Sequence, residues 1–148
     1  MPRRAREKYL IDVNVLQQFK DVGNKNVLAW KASINDNQLK VSVLTLMEQR
    51  RGWEAKRNSD PKLYMLRIAS IEAFEAQYKK WIVPVSPADA AAWAVTIQGA
   101  SKHFVDRGLA GVAKARGMTV VTQNVQHFRG LGVRILNPFS DPPEIYEP

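Results

Sequence analysis

The chain contains no cysteine. That single absence removes disulfide frameworks, zinc–thiolate centres and thiol nucleophiles together, and leaves only oxygen and nitrogen donors for any metal. Long apolar runs are also missing: no stretch approaches the roughly 20 consecutive apolar residues of a membrane span. The basic start Met1–Lys8 is followed by only three apolar-type residues before an acid, too few for a signal-peptide core, so a cytoplasmic protein without a membrane partner is the expectation. Gly-x-Ser-x-Gly, P-loop and Gly-x-Gly-x-x-Gly patterns are absent, which leaves serine hydrolases and nucleotide-cofactor enzymes without support.

Acidic residues are in deficit. Against 22 Lys and Arg stand 14 Asp and Glu, a net charge of +8 that favours a polyanionic partner through counterion release. The length, 148 residues, suits one domain that buries roughly 70% of its unfolded surface. Residues 1–7 read as a basic arm, and 138–148, with Pro138, Pro142 and Pro143, as a Pro-rich irregular surface tail.

Strand-like runs alternate with helical ones. Strands are expected at Tyr9–Asp12, Leu39–Val43, Ile82–Val85, Met118–Thr122 and Val133–Leu136, with Pro84 arguing for an edge position of the third. Helices are expected over Asn26–Ser33, from Thr45 to about Arg57, from Pro61 to Lys80, from Ser86 to Gln98 and from Phe104 to Arg116, the last stopped by Gly117. The alternation predicts an α/β fold: helices on both faces of a mostly parallel five-stranded sheet, a three-layer α/β/α sandwich.

The few acids fall at informative places. Asp12 ends the first strand, where open α/β sheets hold ligands, although Asp is also a favoured helix N-cap. Glu48 closes Thr45-Leu46-Met47-Glu48, which reads equally as a capping box. Asp106 opens an apolar helical face and would suit the positive end of a helix dipole; its neighbours Gly108, Ala110 and Gly111 predict close packing. Asn124 follows the fourth strand and is also a common turn or cap residue. Spread over one small domain, the four look like an acidic cluster at one edge of a sheet, arranged to hold a divalent metal. The two histidines, His103 and His127, read as partly exposed surface side chains.

Their order, with Val41–Glu48 followed by Arg-Arg-Gly, with Thr122-Gln123-Asn124-Val125-Gln126-His127-Phe128, and with the ending Gly132-Val133-Arg134-Ile135-Leu136-Asn137-Pro138, resembles the PIN domain. The resemblance is greatest to the VapC-type ribonuclease toxins and runs from about Lys8 to Pro138. It implies a metal-dependent endoribonuclease, the toxin of a toxin–antitoxin pair, with Asp12, Glu48, Asp106 and Asn124 as catalytic residues. Asp12, Asp106 and Glu48 would hold Mg²⁺ or Mn²⁺, and Arg50, Arg51 and Asn14 would meet nucleic acid. It also implies an RNA substrate, a cognate antitoxin whose tail enters the same groove, and a homodimer built on helical faces, for which Trp53, Tyr64, Leu66 and Trp81 are candidates. The chain departs from the pattern at Val13, where a Thr or Ser is usual, at Gln123 for Arg, at His127 for Asp, and in the looser Asp106-Arg107-Gly108-Leu109-Ala110-Gly111. A PIN-like scaffold that has lost catalysis and a flap-type DNase are the competing readings.

Overall fold

The computed structural model describes residues 6–99 and 102–148, so most of the basic arm, residues 1–5, lies outside the described residues. In chain order come β1 (Tyr9–Ile11), α1 (Val13–Leu16), α2 (Lys25–Ala32), β2 (Leu39–Ser42), α3 (Val43–Glu54) and α4 (Pro61–Gln77). There follow β3 (Ile82–Val83), α5 (Pro87–Ile97), α6 (Phe104–Arg116), β4 (Thr119–Val121), β5 (Ile135–Asn137) and β6 (Glu144–Tyr146). Short 3₁₀ turns occupy Asp36–Gln38, Lys79–Trp81 and Val125–His127.

The sheet order is β3-β2-β1-β4-β5-β6. The first five strands are parallel neighbours, and β6 runs antiparallel to β5 with Ile135 opposite Tyr146. β3 is the edge strand that Pro84 foreshadows. The expectation of five strands is corrected to six, because the tail is not irregular throughout: Glu144–Tyr146 covers the backbone edge of β5 that would otherwise stand open. Phe139 also packs on the core, and its carbonyl accepts from Asn26 Nδ2 at 2.7 Å.

Alternation along each strand builds two cores. Tyr9, Ile11, Val121 and Leu136 point to one face with Val15, Val27 and Trp30, while Leu10, Val120 and Ile135 point to the other with Leu109, Val112 and Phe128. Both faces are covered, so the strands read as continuous apolar runs. Trp81, proposed for a partner surface, instead belongs to the first core at 8% exposure, stacked on Tyr78 with ring centroids 4.5 Å apart.

Helix starts obey local chemistry, with one correction that bears on the site. α3 begins at Val43 with Ser42 as its cap, whose Oγ accepts from Leu44 N at 3.1 Å. Thr45 is therefore inside the helix, its buried hydroxyl directed at Ile11 O, and Glu48 takes no part in the capping box that is the alternative reading of it. α5 has the capping box instead: Ser86 Oγ accepts from Asp89 N, and Asp89 Oδ2 accepts from Ser86 N at 2.8 Å. Asp89, 1% exposed, is also bonded by the Arg116 guanidinium at 2.9 Å, tying α5 to the end of α6. Burial alone would raise the Asp89 carboxyl; the bonds from Arg116 and Ser86 outweigh it and hold it below its ordinary value.

The same two helices press together where α6 lacks side chains. A Cβ on Gly111 would lie 2.7 Å from Trp93 N and Cα, backbone atoms of α5 that cannot swing aside. Gly108 faces the Trp93 ring and Leu44 equally closely. Gly111→Ala should therefore lower stability by roughly 1–3 kcal/mol, the usual cost of overpacking, despite the better helix propensity of alanine. Urea unfolding of the purified variant checks this, and an unchanged midpoint would contradict the close approach.

Candidate active site

β1 and β4 are neighbours whose connections leave to opposite sides of the sheet, β1 towards β2 and β4 towards β5. At such a switch point the loops diverge beyond the carboxyl ends of the strands and leave a crevice. Asp12 follows β1, and Thr122 and Asn124 follow β4, directly at that crevice. α3 delivers Glu48 and Arg51, and the first turn of α6 delivers Asp106. Asp12, Glu48, Asp106 and Asn124 thus line one concavity of about 400 Å³ together with Arg51, His103 and His127. Size does not single it out, since a groove beside Trp53 and Phe74 reaches about 490 Å³ without any carboxylate in its lining. Convergent acid chemistry does.

Asp12 is 3% exposed and its carboxylate is closely held. Oδ1 accepts from Val13 N at 2.8 Å, so the N-cap role is real. Oδ2 accepts from Thr122 Oγ1 at 2.7 Å and from Asn14 Nδ2 at 3.1 Å. A carboxylate offers about four lone-pair positions; these three bonds leave room for one more, on Oδ1. Capping and ligand binding are therefore compatible at this residue. Asn14 is spent inside the site: its Oδ1 accepts from Gln123 N at 2.9 Å, and its Nδ2 also reaches Thr122 Oγ1 at 3.3 Å. It braces the β1 and β4 loops against each other. Thr122 in turn accepts from Asn124 N at 3.0 Å. A hydroxyl thus reaches Asp12 from the residue that follows β4.

Arg51 opens on the concavity and pairs with Glu48 at 3.2 Å, its own side chain 65% exposed. Arg50 turns the other way, to Glu75 on α4 at 2.9 Å, and does not line the concavity. The α5–α6 junction is fixed by Trp93 Nε1 donating to Phe104 O at 3.1 Å and Arg107 donating to Thr96 O at 2.5 Å, which anchors the turn carrying Asp106.

Both histidines belong to this site. His127 Nδ1 is 2.7 Å from Asp106 Oδ2, and the His103 ring stacks on that of His127 with centroids 3.9 Å apart. They are partly exposed, as expected, but far from idle. The overlooked signal was spacing: His103 stands three residues before Asp106 and His127 three after Asn124, so each shares a turn with a residue already singled out.

The acids disturb one another. Burial pushes the Asp12 carboxyl above its ordinary value, and the charge of Asp106 adds to this against the hydrogen bonds of Thr122, Val13 and Asn14. Glu48 is also raised, first by burial and then by Asp106 and Asp12, with Arg51 opposing. Like charges gathered in a half-buried crevice, with a free lone pair on the most buried one, form a donor set suited to a hard divalent cation.

The architecture is that of the PIN domain, and the structural neighbours are VapC- and FitB-type toxins from toxin–antitoxin complexes. One solved structure, FitAcB from Neisseria gonorrhoeae, aligns with a TM-score of 0.70 and 25% identity over 88% of this chain and 98% of that one. VapBC-1 from nontypeable Haemophilus influenzae gives 0.69 and 19% over 89% and 98%. DNA-bound VapBC from Salmonella typhimurium gives 0.68 and 22% over 87% and 96%. No protein-family model and no curated protein sequence matches the chain.

The raised Asp12 fixes a sign for stability. Between its unfolded value near 3.8 and its higher folded value, the native protein holds a proton that the unfolded chain has lost. Unfolding free energy contributed by Asp12 is thus full below that window and falls as pH rises through it. In chelator, the melting temperature of the wild type should fall across this window more steeply than that of Asp12→Asn. Calorimetry over pH 4–8, with the chelator kept constant, measures the difference, and parallel profiles would contradict the burial of a charged Asp12.

Proposed function

We propose that the protein is a metal-dependent endoribonuclease acting as the toxin of a VapBC-type toxin–antitoxin pair, with Mg²⁺ or Mn²⁺ as its cofactor. The observation that carries this reading is the convergence of Asp12, Glu48, Asp106 and Asn124 on one crevice at the switch point of a PIN-type sheet. Asp12 and Asp106 would be direct ligands, Asp12 through the lone pair left on Oδ1. Glu48 would bind through water or position the attacking water, and Asn124, exposed at the mouth, would hold a water or a phosphate oxygen. The metal, when bound, lowers the pKa of a water and neutralises charge on the scissile phosphate.

The chain's own residues do the remainder. Thr122, Asn14 and the Val13 amide hold Asp12 in one orientation, so no reorganisation is needed as charge develops at the phosphate. Arg51 adds a mobile cation at the rim, available to an RNA backbone or to an antitoxin tail. The chain's net charge of +8 favours association with a polyanion. Asn14 is a positioning residue in this reading, and Arg50 serves as a link between α3 and α4.

Asp12→Asn should reduce Mn²⁺-dependent cleavage of RNA by about 100-fold or more, equivalent to about 2.7 kcal/mol of lost transition-state stabilisation, while circular dichroism is retained. Cleavage of a fluorescent RNA, with a DNA of the same sequence in parallel, tests both the site and the substrate class. A variant as fast as the wild type would end the assignment, and preference for DNA would favour the flap-type alternative.

A homodimer accompanies this reading. α4 exposes Met65 and Leu66, 69% and 67% accessible, and α3 exposes Met47. A two-fold axis reuses one such patch on both subunits. Light scattering at micromolar concentration should give twice the chain mass of 16.7 kDa, and Leu66→Glu should give the monomer; a wild-type monomer would refute the dimer.

A further inference from the structure

We propose that His103, Asp106 and His127 form a site for a zinc-type divalent transition metal, adjoining the carboxylates of Asp12 and Glu48. The site shares Asp106 with the nuclease reading but does not depend on it.

One ligand atom from each of the three residues lies within 4.8 Å of the others. His127 Nδ1 and His103 Nδ1 stand 2.7 Å and 3.9 Å from the same atom, Asp106 Oδ2. Around a tetrahedral ion with bonds of about 2.0–2.2 Å, ligand atoms are separated by about 3.3–3.6 Å. The observed separations bracket that value, and the two rings, 43% and 34% exposed, have freedom to rotate into it. Three protein ligands then leave the remaining position open to the concavity, the arrangement of a metal that also takes water or a phosphate oxygen.

Ligand type decides the metal. Imidazole nitrogen suits Zn²⁺, Ni²⁺ and Fe²⁺, whereas Mg²⁺ binds oxygen and retains its waters. A second imidazole is what distinguishes this corner of the crevice from the all-oxygen side at Asp12 and Glu48. Its placement comes from His103, whose left-handed backbone (φ 56°) immediately before α6 brings its ring over that of His127. The electrostatics also permit a cation. The amino end of α6 contributes a positive field equivalent to about half a charge and Arg51 a full one beside Glu48, and the charges of Asp106, Asp12 and Glu48, which act on one another across the crevice, outweigh the two together.

The test is zinc binding by the chelator-stripped full chain in excess Mg²⁺, followed by calorimetry and by the visible spectrum of the Co²⁺ form. Zn²⁺ should bind more tightly than Mg²⁺ and raise the melting temperature. His103→Asn, which tolerates the left-handed backbone, and His127→Gln should each weaken Zn²⁺ by at least about tenfold, the cost typical even of outer contacts to a metal. Both should also change the Co²⁺ spectrum, with circular dichroism unaltered. Equal Zn²⁺ affinity in wild type and either histidine variant, or Zn²⁺ binding no tighter than Mg²⁺, would overturn the proposal. Zinc binding lost in both histidine variants from a chain that cleaves no RNA would uphold this site and reject the nuclease reading. RNA cleavage without histidine-dependent zinc binding would do the reverse.

Discussion

The buried carboxylate of Asp12 is the constraint on which the site depends. A charge removed from water is tolerable only when fully bonded or when a cation is nearby. Here Val13, Thr122 and Asn14 supply three bonds from two loops that meet only because β1 and β4 are adjacent. The same bonds fix the direction of the remaining lone pair. Holding the acid and aiming it are thus one set of contacts, and the raised Asp12 and Glu48 carboxyls express the residual cost of gathering negative charge there.

Asp106 reaches the crevice by a different physical route. Its helix is positioned by close approach and by polar bonds together: Gly108 and Gly111 let α6 lie against Trp93, Trp93 and Arg107 bond across the junction, and Arg116 clamps the far end to buried Asp89. A methyl group at Gly111 would move the whole helix and Asp106 with it. Packing between α5 and α6 thereby sets how far Asp106 stands from the carboxylates that other elements deliver. The small residues that make the Asp106 segment a loose match to the family pattern are the ones that let this chain's α5 and α6 meet.

The departure at His127 also acquires a physical account, whereas the Thr122 hydroxyl on Asp12 belongs to the usual pattern and leaves the Val13 departure unexplained. His127, standing where an acid is usual, bonds Asp106 and lowers the number of like charges in the crevice by one. The chain's cavity is consequently less negative and richer in nitrogen than an all-acid cluster, a chemical difference with consequences for which metal it accepts.

Alternation of apolar runs with helical spacing was sufficient, from the sequence alone, to specify a parallel sheet covered on both faces. The capping and terminating residues Pro61, Ser86, Asp89 and Gly117 marked helix ends that the structure reproduces. These features are legible because they depend on neighbours within a few residues. The order of four polar signals at strand and helix ends likewise foretold which side chains meet. Other matters depended on the third dimension. Short-range reading left a cap role open for Glu48, which helix α3 closes by starting two residues earlier at Val43; it set Trp81 on the surface, when a sheet face and Tyr78 enclose it; and it left the tail unpaired, when β5 offers it an edge. It paired Arg50 with Arg51, though successive helical residues point about 100° apart and only Arg51 faces the crevice. His103 and His127, 24 positions apart by their numbers, met only because α6 and the turn after β4 border the same switch point. Local propensity is written along the chain, whereas burial, edge pairing and the convergence of distant side chains exist only once the sheet order is set.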